Sequence, residues 1–392
     1  MNRVKSRYKI ILAIVITVVL FAALFSLYGY HNTLRLWNIP TYGSSFFADI
    51  RTVIVGAEVS SEGLDSEFWG SKVDYPRIWQ GLHLLGIREG HTTAMGIGII
   101  LLFLIGVCLF LPNASNTTVL LVLAALLSPA VLLGVERANV DLLLFFLVSV
   151  AIITAQRSYL LSTLAILSGF ALKLYPIFGL AVLLKAKRSK FLLYTLISLV
   201  FVGCYTFLIY PNLLSTGKML EARIGYGIGV FIRILGDHNV NLGRAAKGLS
   251  YLSVIASSAF ALSALFRKDN PSVRKEDDIY LSAFRAGASI YIGTFLMSNN
   301  FPYKLIFLIF TIPQLILWAK YTATNISIIS KSTIIAVFIS MWYLVISKLL
   351  GHFPWYINFT VNALSNWIIL FCCMYLIFWS MPAWVKEVVQ RK

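Results

Sequence analysis

The stretch Thr92–Leu111 reads TTAMGIGIILLFLIGVCLFL and contains no charged residue. A bilayer hydrocarbon core of about 30 Å takes roughly 20 apolar residues of α-helix, so this stretch predicts a membrane-spanning helix. Similar stretches recur along the chain, and only 12% of all residues are charged. A soluble domain has about 25% charged residues. These stretches are too long and too uniformly apolar for barrel strands, so the predicted fold class is an all-α polytopic membrane protein.

The other apolar stretches raise the expectation to about 11–13 transmembrane helices. The predicted spans are Ile10–Tyr30, Thr92–Leu111, Thr118–Val135, Val140–Ala155, Tyr159–Ala171, Ile177–Leu184, Phe191–Ile209, Leu249–Phe266, Tyr280–Ser298, Leu305–Trp318, Ser332–Leu349 and Val361–Ser380. The fifth and sixth are too short to cross separately, and they predict a broken hairpin that turns inside the protein. No tandem repeat or low-complexity linker divides the chain. A single integral membrane domain over residues 1–392 is therefore expected.

Lysine and arginine residues set the predicted orientation. With a cytoplasmic N-terminus, the basic segments 3–9, 185–190 and 267–275 all lie on the inner side, and they hold much of the +17 net charge. This is the positive-inside pattern of a membrane protein, and it does not indicate a nucleic-acid partner. Both termini are then cytoplasmic and the loop 32–91 faces outward. The predicted location is the plasma membrane of a bacterium.

The loop 32–91 is the one long polar segment between predicted spans. Its acidic residues are Asp49, Glu58, Glu62, Asp65, Glu67, Asp74 and Glu89. Around Asp49, apolar residues recur at helical spacing, which predicts an amphipathic helix lying on the membrane surface. A carboxylate there is suited to abstract a proton from a sugar or lipid hydroxyl. The alternative is that Asp49 only stabilises the first turn of this helix through the helix dipole.

Two further polar motifs lie on the predicted outer side. The segment Asp74-Tyr75-Pro76-Arg77 suits carbohydrate contact, although an aromatic belt at the membrane interface also explains it. The segment Glu136-Arg137-Ala138-Asn139 is a short charged turn between two spans. We expect Arg137 to pair with Glu136 or Asp141, and a simple neutralised turn is the alternative to a substrate-binding role.

Isolated cations supply the remaining candidates. In Lys173-Leu174-Tyr175-Pro176, a lysine and a proline interrupt an apolar stretch. Lysine is a compact cation suited to a phosphate, whereas snorkelling towards the membrane surface is the competing explanation. Three other residues are predicted to face outward and to assist in binding an anionic head group. They are His238, Arg244 and Lys304.

The order of these motifs resembles glycosyltransferase family 87, the polyprenyl-phosphate-mannose-dependent members of the C-type integral membrane glycosyltransferases. The resemblance covers about the first half of the chain. It is carried by Asp49, Asp74-Tyr75-Pro76, Glu136-Arg137-Ala138-Asn139, Lys173-Leu174-Tyr175-Pro176 and Lys185-Ala186-Lys187-Arg188. Ala138 stands where the family pattern has glycine.

The resemblance implies an inverting transfer of mannose or another hexose or pentose. The donor is a polyprenyl-phosphate-linked sugar and the acceptor a lipid or glycan, with Asp49 as the base that deprotonates the acceptor hydroxyl. Basic residues hold the donor phosphate. No cofactor is expected, and the metal requirement stays open.

Two other functions fit the same sequence. A transporter or flippase of lipid-linked saccharides would also use broken helices and cations, but it would need polar residues in both halves, and Arg285 stands nearly alone in the second. A non-catalytic subunit of polysaccharide assembly would tolerate loss of Asp49. Nucleotide hydrolysis, zinc proteolysis and serine hydrolysis lack their motifs.

Overall fold

The computed structural model describes residues 2–40, 46–61, 67–68, 71–72, 75–112, 114–213, 224–266, 279–297, 300–320, 324–351 and 354–390. Within these ranges the chain is almost entirely helical, which confirms the all-α prediction. The exception is a small antiparallel hairpin of two-residue strands, β1 (Glu67–Phe68) and β2 (Ser71–Lys72).

The α-helices of the first half precede residue 214. They are α1 (Asn2–Tyr28), α2 (Tyr30–Leu36), α3 (Ala48–Ser61), α4 (Gly81–Leu84), α5 (Thr92–Phe110), α6 (Asn116–Leu126), α7 (Pro129–Glu136), α8 (Val140–Thr154), α9 (Tyr159–Leu172) and α10 (Arg188–Leu213). The second half adds α11 (Ile228–His238), α12 (Val240–Ser263), α13 (Ile279–Met297), α14 (Ile312–Ala319), α15 (Thr324–Met341), α16 (Tyr343–Leu349), α17 (Trp355–Trp379) and α18 (Ala383–Gln390). Short 3₁₀ helices cover Arg77–Gln80, Glu89–His91 and Ala264–Phe266, and two longer ones cover Tyr175–Lys185 and Pro302–Thr311.

Seven helical segments among the described residues are long and apolar enough to cross a membrane, and nine if each of two bent helix pairs is one span. Shorter apolar helices cover Val140–Thr154, Tyr159–Leu172 and Tyr175–Lys185. The chain is thus a multi-pass membrane protein, and its long helices follow the predicted spans closely.

Two predicted spans are bent rather than straight. The span Thr118–Val135 breaks into α6 and α7 with a 55° bend, because Pro129 cannot continue the backbone ladder and Ser128 caps the new helix. The span Ser332–Leu349 bends by 71° between α15 and α16. At that break the indole of Trp342 donates a hydrogen bond to the carbonyl of Ala124, at 3.1 Å. No proline or glycine marks this second bend, so the sequence pattern did not predict it.

The predicted interruption near Lys173 is present, and the chain continues beyond it as the 3₁₀ helix Tyr175–Lys185. At about 2.0 Å per residue, eleven 3₁₀ residues extend about 22 Å, whereas an α-helix would extend about 16 Å. The second long 3₁₀ helix, Pro302–Thr311, runs directly into α14. Both pack against α13, where a Cβ at Gly293 would overlap the ring of Phe178. A Cβ at Gly287 would likewise overlap the carbonyl oxygen of Phe307, so glycines of α13 allow both 3₁₀ helices to lie close to it.

Aromatic rings from α5, α8 and the second long 3₁₀ helix pack against one another within a core that is otherwise mainly aliphatic. Phe145 stacks on Phe310 with ring centroids 4.1 Å apart, and Phe103 meets Phe145 edge-on. The apolar face of α3 joins this core through Ile50, Val53 and Ile54. The prediction of a surface-lying amphipathic helix was therefore right about the helix and wrong about its environment. Its apolar face is covered by protein.

The predicted orientation can be tested directly with topology reporters. A reporter inserted within Glu58–Lys72 should report the extracytoplasmic side, and one inserted at Lys187 the cytoplasmic side, because lysine and arginine favour the inner face. Alkaline phosphatase and green fluorescent protein fusions give opposite signals for the two sides. Reporters on the same side would contradict the orientation and the outward placement of the site.

Candidate functional site

Polar side chains collect where several helices end on the same side of the helical core. The carboxylate cluster consists of Tyr30, Asp49, Glu136, Arg137 and Asn139. The lysine cluster consists of Tyr75, Asp141, Lys173, Tyr175, Tyr303 and Lys304. Most of these residues belong to motifs that the sequence had singled out separately.

Backbone hydrogen bonds hold Asp49 against the turn after α7. The amide of Asp49 donates to the carbonyl of Arg137 at 3.1 Å, and the amide of Phe47 donates to the carbonyl of Glu136 at 3.2 Å. Phe47 adopts a left-handed backbone with φ 59°. Its ring lies where a side chain at Gly96 would be, so Gly96 is needed for this close approach. The loop thus enters α3 in one fixed register.

Two side chains, those of Arg137 and Asn139, donate hydrogen bonds to the carboxylate of Asp49. Its Oδ1 accepts from Arg137 Nε at 2.7 Å and from Nη2 at 2.6 Å, and its Oδ2 accepts a short hydrogen bond from Asn139 Nδ2. Arg137 was predicted to pair within its own turn, with Glu136 or Asp141. Its ion pair instead reaches Asp49, 88 residues earlier in the chain.

Asp49 also lies in the first turn of α3, as the dipole explanation requires. That explanation accounts for the position of Asp49 but not for the two donors that meet its carboxylate. A carboxylate has about four lone-pair sites. The described residues use three of them, which leaves one direction on Oδ2 for a further donor such as a hydroxyl.

Asn139 joins the two clusters. Its Oδ1 caps α8 by accepting from the amide of Asp141 at 2.9 Å, and this bond fixes which end of the side-chain amide points towards Asp49. Asp141 then lies in the first turn of α8, with its carboxylate on Lys173. The orientation of one buried amide therefore links the Asp49 carboxylate to the position of Asp141.

The turn that presents Arg137 and Asn139 is a Schellman motif. The amide of Asn139 donates to the carbonyl of Gly134 and the amide of Ala138 to that of Val135. Ala138, with φ 43°, occupies the left-handed position that usually favours glycine, and its methyl group is fully buried. The glycine of the family pattern thus has a geometric reason, and alanine fills the same backbone.

Substitutions at Ala138 should separate backbone strain from packing. Ala138→Gly relieves about 1–2 kcal/mol of left-handed strain but loses a buried methyl group and adds chain entropy, each worth about 0.5–1 kcal/mol. We expect a thermal midpoint within a few degrees of the parent protein. Ala138→Val, β-branched and buried, should lower the midpoint clearly. The two detergent-purified variants can be compared by fluorescence-detected unfolding. Equal midpoints would contradict the strain assignment.

Glu136 is the second carboxylate at this turn. Its Oε1 accepts from the hydroxyl of Tyr30 at 2.6 Å, and within the described residues its buried Oε2 makes no hydrogen bond. Burial, and next the hydrogen bond to Glu136, raise the pKa of Tyr30 well above its ordinary value. The phenol therefore remains a donor at neutral pH. Tyr30 ends a predicted span, and nothing in the sequence connected it to Glu136.

Lys173 points into the protein rather than towards the membrane surface. Its Nζ donates to Asp141 Oδ1 at 2.6 Å, and three tyrosine rings surround it at 5.8–5.9 Å. These rings belong to Tyr75, Tyr175 and Tyr303. The snorkelling explanation does not describe this arrangement, in which a cation is held inside an aromatic box with a buried carboxylate.

Lys304 is the second cation of the lysine cluster. Its Nζ donates to Asn300 Oδ1 at 2.8 Å and lies 4.9 Å from the ring centre of Tyr175. Asn300 is fixed in turn by two backbone hydrogen bonds with Tyr226. Across the described ranges, no carboxylate lies within ion-pair distance of Lys304. Its positive charge is therefore less committed than that of Lys173.

Two close contacts bring distant segments to the site. The indole of Trp79 donates to the carbonyl of Leu172 at 3.0 Å, which holds the Tyr75 segment beside Lys173. At Gly134, a Cβ would lie 3.2 Å from the Cβ of Tyr303, so glycine lets Tyr303 approach α7. The ring of Tyr303 also lies 5.9 Å from Lys173 Nζ, so Tyr303 packs against α7 and belongs to the lysine cluster.

Some predicted site residues lie elsewhere. Arg77 is exposed at the start of its 3₁₀ helix, and Asp74 falls outside the described residues. His238 and Arg244 lie on exposed parts of the α11–α12 hairpin, and the contacts that define the two clusters do not include them. Conversely, sequence reasoning gave no binding or catalytic role to Tyr30, Asp141 or Tyr303, which the structure places in the clusters.

The fold and site together define a class: a multi-pass, all-α membrane protein with a mixed carboxylate, lysine and tyrosine site at converging helix ends. No protein-family model matches the chain, and no curated protein matches it. Among solved structures, the chain is similar to the crystal structure of ArnT from Cupriavidus metallidurans in the apo state, with 13% identity and a TM-score of 0.38. That similarity covers 94% of this chain and 78% of the other. Similarity at this level assigns neither a family nor an activity.

Proposed function

We propose that the protein is an inverting glycosyltransferase that moves a sugar from a polyprenyl-phosphate donor to a lipid or glycan acceptor at the extracytoplasmic face. The observation that carries the proposal is the link from the Asp49 carboxylate through Asn139 and Asp141 to the ammonium group of Lys173, with a second ammonium group, that of Lys304, beside Tyr175. A base and an anion site are the two elements that transfer from a phosphate-linked donor requires.

The lysine cluster suits the donor phosphate. Lys173 and Lys304 supply ammonium groups, and the tyrosine rings around them suit the apolar faces of a sugar as well as the cations. When the bond between the sugar C1 and the phosphate oxygen breaks, the electron pair leaves with the phosphate. Positive charge already in place stabilises that leaving group.

Asp49 suits the acceptor. The free direction on Oδ2 can accept the hydrogen bond of an acceptor hydroxyl, and the proton passes to Asp49 as the hydroxyl oxygen bonds to C1. The ion pair with Arg137 holds the Asp49 carboxylate in place before the acceptor binds. Attack on one side of C1 and departure of phosphate on the other invert the anomeric configuration.

The resemblance of the residue pattern to glycosyltransferase family 87 makes mannose the first donor to try, followed by another hexose and a pentose. An acceptor of this class is a glycolipid or glycan of the cell envelope. The proposed arrangement is a single integral membrane domain in a bacterial plasma membrane, with both termini cytoplasmic.

Buried polar residues of the second half do not by themselves favour transport. Asn362 and Asn366 bond to each other, and Asn366 also bonds to Tyr291 and Ser340. The guanidinium of Arg285 donates to the carbonyl of Ser380. These groups are more numerous than the sequence suggested, but the hydrogen bonds named here join them to one another and to the backbone within the helical core.

The proposal can be tested with purified protein in lipid nanodiscs. Labelled polyprenyl-phosphate mannose and total lipid extract as acceptor source should yield a labelled glycolipid, and the product should carry the inverted anomer by NMR. Protein carrying Asp49→Asn, prepared in parallel, is the control. The opposite result would be that none of the three donors, carrying mannose, another hexose or a pentose, supports transfer while labelled donor crosses proteoliposome membranes. That result would identify the protein as a transporter and not a transferase.

A further inference from the structure

We propose that Asp141 is a positioning residue that holds the ammonium group of Lys173 in place for an anionic lipid phosphate. The inference rests on the proposed function for the identity of the ligand, a polyprenyl phosphate. Asp141 acts through Lys173 and does not itself contact the phosphate, because two anions would repel each other.

Asp141 is a fully buried carboxylate, and among the described residues its ion-pair partner is Lys173. Its exposed fraction is 0%, and Oδ1 accepts from Lys173 Nζ at 2.6 Å. Its other oxygen, Oδ2, and the hydroxyl of Tyr175 are both buried, and neither makes a hydrogen bond within the described residues. A carboxylate is costly to bury, so Lys173 is the group that makes this position tolerable.

Such a partner matters for Lys173 because its side chain is long and flexible. Lys173 lies at the break between α9 and the following 3₁₀ helix, with extended φ and ψ of −164° and 127°. A lysine side chain is flexible, and fixing it when a ligand binds carries an entropy cost. The carboxylate of Asp141 fixes the ammonium group before the ligand arrives, and this preorganisation favours binding.

Asp141 is itself fixed from the other side. Its backbone amide is bonded to Asn139, so the first turn of α8 cannot shift without disturbing that cap. The aromatic rings of Tyr75, Tyr175 and Tyr303 restrict the remaining directions around Lys173. The ammonium position is thus set by one charge and three rings, and only the charge can be removed without changing the shape.

The test is a double-mutant cycle on binding of undecaprenyl phosphate, measured by native mass spectrometry of the full chain in nanodiscs. Lys173→Met should weaken binding about tenfold to a hundredfold, because a charge-assisted hydrogen bond is lost. Asp141→Asn should weaken it about threefold to tenfold, since Lys173 is then less well placed. The double variant should bind no more weakly than Lys173→Met alone, because Asp141 without Lys173 has nothing to position.

Effects that multiply in the double variant, or unchanged binding in Asp141→Asn, would overturn the inference, as would undetectable binding by the parent protein. Glu58→Gln, which removes a carboxylate paired with Arg88, is the matched control, and its effect should be small and independent of Lys173. If Asp141→Asn fails to accumulate, the double variant, which buries neither charge, is compared with Lys173→Met and should bind equally well. Binding needs no sugar transfer, so failure of the transferase assay and failure of this inference are distinguishable.

Discussion

Asp49→Asn should lower the rate of sugar transfer by about two orders of magnitude or more, with little change in donor binding. The amide retains the size of the side chain but cannot accept the acceptor's proton. The rate is measured at saturating donor in nanodiscs, and donor binding separately by native mass spectrometry. Normal turnover in Asp49→Asn, with loss of activity in Asp74→Asn or Glu136→Gln, would place the base elsewhere.

The structure shows why Asp49→Asn needs a sharper control. The new amide would point an N–H group at Asn139 Nδ2, which is also a donor, so the variant disturbs the site as well as the base. A double variant that combines Asp49→Asn with Asn139→Asp restores a donor–acceptor pair between these two side chains. It also keeps the total charge of the parent protein. Aspartate also caps helices well, so α8 retains its start.

The exchanged protein should be as stable as the parent and still inactive, because its carboxylate lies one hydrogen bond away from the acceptor. Recovery of activity in the exchanged protein would show that Asp49 supplies only charge or helix stabilisation. Neutralising Glu58, further along α3, should matter much less. Full cellular function in Asp49→Asn, Asp74→Asn and Glu136→Gln together would favour the transporter or the accessory subunit.

Lys304→Met should raise the donor KM about tenfold to a hundredfold while the protein still inserts and accumulates. The partners of the Lys304 ammonium group are the amide oxygen of Asn300 and the ring of Tyr175. Neither carries a negative charge, so the positive charge of Lys304 is available for the phosphate. Methionine retains most of the apolar stem beside Tyr175. The KM is obtained from transfer rates over a range of labelled donor concentrations.

Lys320→Met is the matched control for Lys304→Met. Lys320 follows α14, at the opposite end of the same helical run, and its side chain is exposed. Loss of this charge should leave the donor KM within about twofold of the parent value, as usual for exposed surface charges. An unchanged KM in Lys304→Met, or an equal rise in both variants, would remove Lys304 from the phosphate site.

The sequence predicted those features that depend on local composition. The apolar stretch Thr92–Leu111 became α5, and the break at Lys173 lies where the lysine and Pro176 interrupt the pattern. The bend at Trp342 was not predicted, because nothing in the local residues disfavours a straight helix there. The extent of the two long 3₁₀ helices was missed for a related reason. A continuous run of apolar residues has no polar face, so its sequence shows no repeat that would distinguish a 3₁₀ helix from an α-helix.

The sequence predicted which motifs contribute to the site, but it did not predict which of their residues form ion pairs with each other. Asp49, Arg137 and Lys173 were each identified, yet the partners Asp49–Arg137 and Asp141–Lys173 depend on which helix ends meet in space. The sequence offered Asp141 only as a possible partner of Arg137. Its ion pair with Lys173 became visible only in the structure. Tyr30 and Tyr303 were hidden among many aromatic residues that suit a membrane interface equally well.

The double hydrogen bonding of Asn139 restricts which amino acids evolution or a designer can place at that position. The residue must offer an acceptor to begin α8 and a donor to meet Asp49. Serine and threonine cap helices but are too short to reach both partners, and glutamine is a poor cap. Aspartate is acceptable at position 139 only when residue 49 is asparagine instead of aspartate. Positions 49 and 139 should therefore change together or not at all in a library selected for folding, whichever of the two carries the negative charge.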